Sequence, residues 1–416
     1  MGVGGMVGGG IFSVLGLSVG LAGHAAPLAF ALGGVVALLT GLSYSSLGLH
    51  FRSDGGSFTY LEHAFAHPNV AGLGGWVLLA GYIGTMALYA FTFGVYGNAI
   101  LGGTGHDLAM KHLLQSGVLL TFLGVNLYGV KSAGHTEDVI VLVKVLILSL
   151  FAVVGLLYMK KDHVLPFFNR GGAGLLMGAA LIFVAYEGFE LIPNAVKEMR
   201  QAQRDLPRSI TMSIVVTTLI YILVSMVAIG NLSPAAIDKY KEYALAEAAR
   251  PFLGHAGFLL IGLGALLSTA SAINATLFGT ARLGKVMAEE NELPRAFSLH
   301  ERTREIPWFS LCLITALTLV LVNLGGLTMI SAFASATFLL VFASINLAAL
   351  RLRNTIGISP AAPFIGLVLT LTSWGVLAVY LWEHQRSSLV WIAVAYTGIA
   401  VAELCFSERR VLFRRQ

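Results

Sequence analysis

The stretch GGMVGGGIF, Gly4 to Phe12, puts five glycines among nine residues at the head of an apolar run that continues to about residue 22. Glycine inside a helix costs roughly 1 kcal/mol relative to alanine. A segment apolar enough to enter a bilayer is therefore built with a weak point near its start. Whether that weak point is a packing surface or a deliberate break depends on what accompanies it elsewhere in the chain.

The surroundings are those of a membrane protein. The 416 residues are 56% hydrophobic and 11% charged, with a mean hydropathy of +0.81. A soluble domain carries about 25% charged residues. Apolar runs near twenty residues recur, among them PLAFALGGVVALLTGLSYSSLG (27–48) and VIVLVKVLILSLFAVVGLLYM (139–159). Each can cross a hydrocarbon core about 30 Å thick as a helix. Backbone groups in lipid must be paired internally, so the fold class expected is all-α, a polytopic helical bundle. The alternating strands of an outer-membrane barrel are absent. Two cysteines, Cys312 and Cys405, exclude a disulfide framework or a cysteine-rich metal site. No basic flank precedes the first apolar run, so a cleavable signal peptide is not expected. The net charge of +5 resides in loops and flanks. That placement suits topology and anionic lipid headgroups, not nucleic acid.

Twelve spans are expected, at roughly 2–22, 27–49, 70–101, 112–131, 136–159, 171–195, 208–230, 254–284, 307–325, 328–350, 362–382 and 389–407. The segment NLSPAAIDKYKEYALAEAARPFLG (231–254) reads as an extramembrane helical loop. Arg52, Lys197, Arg200, Arg204, Arg208, Arg282, Lys285, Arg351 and Arg353 fall on one side of this arrangement. Lys111, Lys160, Lys239, Lys241 and Arg250 fall on the other. The richer side is expected to be cytoplasmic, with both termini inside a cytoplasmic membrane.

Span 6 shares the oddity of span 1. Its core GAALIFVAYEGFELIPNA (178–195) carries glycine and two carboxylates in mid-span and a proline near its end. The two spans are five apart and so enter from opposite sides. Interrupted helices in corresponding positions point to a secondary transporter built from inverted repeats. On this reading the glycines let span 1 unwind, and the freed N–H groups at a half-helix N-terminus can bind a carboxylate. The competing reading is close helix packing, with Gly4/Gly8 and Gly5/Gly9 as small-residue pairs.

Three segments together resemble the amino acid–polyamine–organocation permeases: VGGGIF in span 1, FVAYEGFELIPNAVKEMRQAQRDLPRSI (183–210), and GALLSTASAINATLFGTARLGKVMAEENELP (264–294). VLVKVLIL (141–148) is similar to span 5 of the proton-coupled ApcT-type amino acid transporters. The resemblance implies a five-plus-five inverted repeat, with residues 1–159 as the first repeat (spans 1–5), 171–351 as the second (spans 6–10), and two additional helices over 362–407. It implies a secondary transporter of amino acids, with no enzymatic activity and no cofactor or metal. The partners implied are an amino acid, protons and lipid, and the chain would be a monomer or homodimer. Family members carry a fuller first half-helix; here seven residues precede Gly8, about 10 Å of helix. The expectation is a start assigned at an internal methionine, or an incomplete inner gate.

The substrate site implied comprises Met6, Val7, Gly8, Gly9, Gly10 and Ile11 of span 1 and Phe183, Tyr186 and Glu187 of span 6. The substrate carboxylate would meet the N–H groups of Gly9 and Gly10. Its ammonium would meet carbonyls near Met6 and Val7 and from Phe183 to Glu187, and Phe183 would close over it. Lys144 lies mid-span with four apolar residues on each side. A lysine there costs about 3 kcal/mol on insertion scales, so it is a functional candidate. By resemblance it replaces a sodium ion between spans 1 and 8, donating to span 1 carbonyls near Gly4 and Gly5 and to hydroxyls among Ser268, Thr269 and Ser271, and it would release a proton during the cycle.

Glu187 and Glu190 stand near one helix face. Either could bind an ammonium, pair with Lys144, relay protons, or latch the helix break to backbone; Glu190 is the second proton-coupling candidate. Asn194, Glu198, Arg204 and Arg208 are the expected cytoplasmic gate. Tyr82, Tyr89 and Tyr96 recur every seven residues in span 3 and read as a structural aromatic stripe. His63 and His67 in HAFAH form a lone pair without metal-like company, and no Walker sequence supports an ATP-driven pump. The alternatives to proton symport are an exchanger of amino acids or amines, a potassium or other small-cation carrier, and a non-transporting sensor or partner subunit.

Overall fold

The computed structural model describes residues 2–53, 55–65, 68–102, 107–129, 134–160, 163–289, 293–300 and 306–413. Every regular element among them is helical. In chain order these are α1 (Gly2–Met6), α2 (Gly9–Ala22), α3 (Ala26–Phe51), α4 (Ser57–Ala64), α5 (Pro68–Ile100), α6 (Leu108–Leu127), α7 (Gly134–Leu157), α8 (Gly171–Leu181), α9 (Ala202–Asn231), α10 (Pro234–Lys239), α11 (Ala244–Glu289), α12 (Trp308–Leu324), α13 (Leu327–Arg351), α14 (Arg353–Ile356), α15 (Ala361–His384) and α16 (Arg386–Phe413).

The protein is an all-helical, multi-pass membrane protein. Nine helical stretches among the described residues are long and apolar enough to cross a bilayer, and ten if the bent pair α8 with Phe183–Glu198 is one span. The expected twelve differs for two physical reasons. Gly9–Phe51 is one apolar stretch divided only by a 3-10 turn at Gly23–Ala25, and α12 has 17 residues. The loop expected at 231–254 contains α10 and the start of α11, whose helix is interrupted at Gly254. His63 bonds the Thr59 carbonyl within α4, and His67 lies outside the described residues.

Apolarity does not decide which helices are central. Burial covers 78% of the apolar stretches of α5 and α13, but 17% of α6 and 28% of α7 and α15. Lipid is as apolar as leucine, so helices associate through close packing and polar contacts. Small residues accordingly line the central interfaces. A Cβ at Gly84 of α5 would come 2.9 Å from the Phe333 ring of α13, and one at Gly41 of α3 would come 2.8 Å from Ile210 and Ile214 of α9. Asn346 of α13 links Ser43 and Thr40 of α3 at 2.7 and 2.9 Å. On one face of the bundle, Lys111 of α6 pairs with Glu242 ahead of α11. On the opposite face, Arg351 lies over the Phe65 ring.

α7 shows both environments on one helix. Val139, Leu142, Leu146, Leu150 and Val153 are exposed, whereas Lys144, Leu148 and Phe151 are at most 1% exposed. The spacing i, i+4, i+7 gathers the buried set on one side of a 3.6-residue helix. The lysine is thereby aimed into the protein.

Candidate functional site

Two interrupted helices meet at the centre of the bundle. The first interruption lies between α1 and α2, at Val7 and Gly8. The Gly8 N–H turns back to the Met6 carbonyl at 2.8 Å, and no side chain caps the start of α2. The first N–H groups of a helix lack intrahelical acceptors, so Gly9, Gly10 and Ile11 present donors with the positive end of the helix dipole. Hydroxyls of neighbouring helices take up the carbonyls on the other side of the break. Tyr221 of α9 donates to Met6 at 2.6 Å, and Ser268 of α11 donates to Val7 at 2.6 Å. Met6 and Val7 were expected to receive a substrate ammonium; here both carbonyls already have donors.

The second interruption begins after α8. The chain continues as a 3-10 turn over Phe183–Tyr186, passes Glu187 and Gly188, and resumes as a 3-10 helix over Phe189–Glu198. The halves bend by 49°. Glu187 is extended, and Gly188 has φ +122°, a conformation that favours glycine. Ser335 of α13 bridges this break, accepting from the Val184 N–H at 3.0 Å and donating to the Leu181 carbonyl at 2.7 Å. The Ala185 carbonyl lies 2.9 Å from the Tyr221 hydroxyl that also serves Met6.

The two breaks touch backbone to backbone. A Cβ on Gly10 would sit 2.7 Å from the Ala185 Cα, and one on Gly188 would sit 2.7 Å from the Gly5 carbonyl carbon. The glycines therefore serve close approach as well as interruption, though the close approach involves Gly5 and Gly10 and not the expected pairs Gly4/Gly8 and Gly5/Gly9. Gly5 and Gly10 face the backbone of span 6, whereas Gly8 and Gly9 face side chains.

The carboxylates stand beside this contact. Glu187 is 2% and Glu190 1% exposed, and they lie within electrostatic reach of each other. Glu190 accepts from the Gly188 N–H at 2.7 Å and from the Tyr82 hydroxyl at 3.4 Å, so it latches the break to its own backbone. Glu187 accepts from the Tyr89 hydroxyl at 3.0 Å through Oε2 and its carboxyl group lies within hydrogen-bonding reach of the Glu190 carboxyl, while its buried Oε1 makes no geometrically formed hydrogen bond among the described residues. Tyr96 donates to the Phe12 carbonyl at 2.8 Å. The tyrosine stripe of α5 is thus not merely structural filling: its hydroxyls reach span 1 and both carboxylates. Its seven-residue spacing toward a region rich in carboxylates was the available signal. Tyr221 and Ser335, far away in sequence, had none.

Lys144 and span 8 meet differently from expectation. Lys144 Nζ donates to the backbone carbonyl of Ser268 at 3.3 Å, not to a hydroxyl, and among the described residues it is linked to span 1 through Ser268, whose hydroxyl holds Val7. The Thr269 hydroxyl bonds within its own helix to Ala265 at 2.8 Å, and its methyl carbon lies 3.1 Å from where a Gly9 Cβ would be. Among the described residues, Ser271 joins neither Lys144 nor span 1. Phe183 packs against Tyr186 and Phe342. Tyr186 donates to the Phe30 carbonyl, fixing the break of span 6 to α3. The four gate residues are not brought together. Glu198, Arg204 and Arg208 are exposed, with no ion pair among them, and Asn194 is partly buried beside Gly56. Glu198 ends the 3-10 helix and is exposed ahead of α9.

Residues 1–408 match the family model described as amino acid permease. The chain is 31% identical over 413 residues to uncharacterized protein MJ0609 of Methanocaldococcus jannaschii, covering 98% of this chain and 93% of that protein. It is 31% identical over 395 residues to the inner membrane transport protein YbaT of Escherichia coli, covering 94% and 91%. It is 25% identical over 372 residues to the branched-chain amino acid permease BcaP of Bacillus subtilis, covering 85% and 79%. With its apolar helical bundle and two broken helices in contact, the chain belongs to the amino acid permease family of the amino acid–polyamine–organocation superfamily, and is a transporter rather than an enzyme.

Proposed function

We propose that the protein is a proton-coupled amino acid symporter of the ApcT type, working by alternating access in a cytoplasmic membrane. The observation that carries the substrate class is the chemical complementarity of the two breaks. The start of α2 offers backbone N–H donors, and across the packed backbone of the two breaks Glu187 offers a carboxylate oxygen without a hydrogen bond. An anion-binding helix end beside a carboxylate suits a zwitterion. The substrate carboxylate meets Gly9 and Gly10, and the ammonium meets Glu187. The family's description and the branched-chain specificity in the name of BcaP support the same class.

Coupling runs through Lys144. Its ammonium holds the Ser268 carbonyl, and the Ser268 hydroxyl holds Val7 at the break. Loss of a proton weakens the first bond and loosens α11 from span 1. Residues 1–159 and 171–351 act as inverted repeats, with 362–407 appended. Both termini face the cytoplasm, since the face with Arg52, Lys197 and Arg351 is the richer in basic residues.

The test is uptake into proteoliposomes of a panel of labelled amino acids with and without an inward proton gradient. The proposal expects accumulation that collapses with a protonophore. Flux that needs internal amino acid and ignores the gradient would establish an exchanger. Flux of potassium alone would discard the zwitterion site.

A further inference from the structure

We infer that Tyr89 is an internal competitor for the substrate, a specificity and gating residue that covers both halves of the zwitterion site with one side chain. The inference rests on the proposed placement of the ammonium at Glu187 and the carboxylate at Gly9 and Gly10. The Tyr89 ring lies on the start of α2: a Cβ at Gly8 would come 2.9 Å from its Cε1 and Cζ, and one at Gly9 2.7 Å from its Cδ1. Its hydroxyl, at the other end, donates to Glu187 Oε2 at 3.0 Å and approaches the Gly5 carbonyl at 3.5 Å. The residue is 3% exposed. One phenol thus lies against the helix end that would bind a carboxylate and holds one oxygen of the Glu187 carboxyl group, whose other oxygen is open to an ammonium.

The energetics follow from what Glu187 requires. A buried carboxylate without a donor is strongly disfavoured, and Tyr89 provides a neutral donor. A substrate ammonium provides a charged one, which makes the stronger bond. An ammonium on the open Oε1 gives Glu187 a charged donor, so the carboxylate no longer depends on the Tyr89 hydroxyl and the ring swings off Gly8 and Gly9. Only the swung-out form is competent, and the measured Kd is the intrinsic Kd divided by the competent fraction. A primary amine near a carboxylate can make both substitutions at once. A simple carboxylic acid or a simple amine makes one, leaving either the helix end or Glu187 unserved. Tyr89 in this way selects for zwitterions.

The test uses the full chain, purified, with calorimetric titration and thermal-shift screening of the twenty standard L-amino acids, acetate and methylamine. Tyr89→Phe keeps the ring and removes the competing hydroxyl. It is expected to lower the Kd for the bound amino acid about fivefold, from the loss of one competing hydrogen bond, and to lower the thermal midpoint of the protein without ligand. Tyr89→Ala, which also uncovers Gly8 and Gly9, is expected to bind acetate where the parent does not. A residue that merely packs predicts a lower midpoint with Kd unchanged, and that result overturns the inference, as does weaker binding in Tyr89→Phe. Absence of amino acid binding in parent and Tyr89→Phe alike also overturns it. Glu187→Gln separates the two levels of the argument. If it loses affinity while Tyr89→Phe gains none, only the role of Tyr89 fails. If it binds as the parent does, the placement of the ammonium fails and the release of Tyr89 with it.

Discussion

The two broken helices solve the same problem with opposite chemistry. Span 1 is interrupted at Val7 and Gly8, carries no charge, and hands its loose carbonyls to hydroxyls of α9 and α11. Span 6 is interrupted around two carboxylates and hands them to tyrosines of α5 and to its own backbone. One break ends in donors and the other in acceptors. The difference teaches that an interruption in a membrane helix is not defined by the residues that break it. It is defined by which polar groups it leaves over and who receives them.

The most severe way to disturb this pairing is to separate the backbones. Gly10→Val places atoms against the Ala185 backbone, which cannot rotate away as a side chain can. Substrate binding and uptake are expected to vanish, with a thermal midpoint several degrees lower; overpacking costs about 1–3 kcal/mol. Gly9→Val meets the side chains of Tyr89, Thr92 and Thr269 and is expected to fold, with binding lost because the helix end is blocked. Titration of both folded variants compares packing with chemistry. If Gly10→Val binds normally, the backbone contact has no part in the site.

Removing charge from span 6 comes next. Glu187→Gln keeps the shape and is expected to weaken amino acid binding by about 1.5–3 kcal/mol, the range for a hydrogen bond to a charged group. Glu190→Gln is expected to loosen the latch on Gly188 and leave affinity within about threefold. Equal losses in the two variants would show that the carboxylates act as one unit.

On the span 1 side, Ser268→Ala removes the donor to Val7 and is expected to cost about 1 kcal/mol in affinity. Lys144→Ala is expected to change affinity least, by about threefold or less, yet to abolish the response of uptake to a proton gradient. Uptake at several external pH values, normalised to folded protein, is the measurement. An alanine variant that accumulates amino acid with the parent's pH dependence removes Lys144 from the coupling path.

Much of this architecture was legible. The break in span 1 falls within the quoted glycines, and the break in span 6 falls at Glu187 and Gly188, because glycine, extended backbone and charge are local properties. The inward aim of Lys144 was legible because apolar neighbours left it no other solution. What could not be read was who receives the freed groups. Ser268 stood among the expected span 8 hydroxyls and Tyr89 in the tyrosine stripe, but in neither case did the sequence say which group it would hold. Tyr221 and Ser335 reach the breaks from helices distant in sequence, and each looks in its own helix like an ordinary buried polar residue. The gate residues failed in the reverse sense. Asn194, Glu198, Arg204 and Arg208 are close in sequence, but the first two lie on the 3-10 helix and the last two on α9, and no ion pair joins them.

The divided surface of α7 limits how this gene can change. Val139, Leu142, Leu146 and Leu150 look outward to lipid, where any apolar residue serves equally well. Point changes there should be tolerated freely. Adding or deleting one residue ahead of Lys144 is another matter, because it turns everything beyond it by about 100°. The ammonium would then face hydrocarbon, at a cost of about 3 kcal/mol. A helix so permissive of substitution is for that reason intolerant of any change in its reading length.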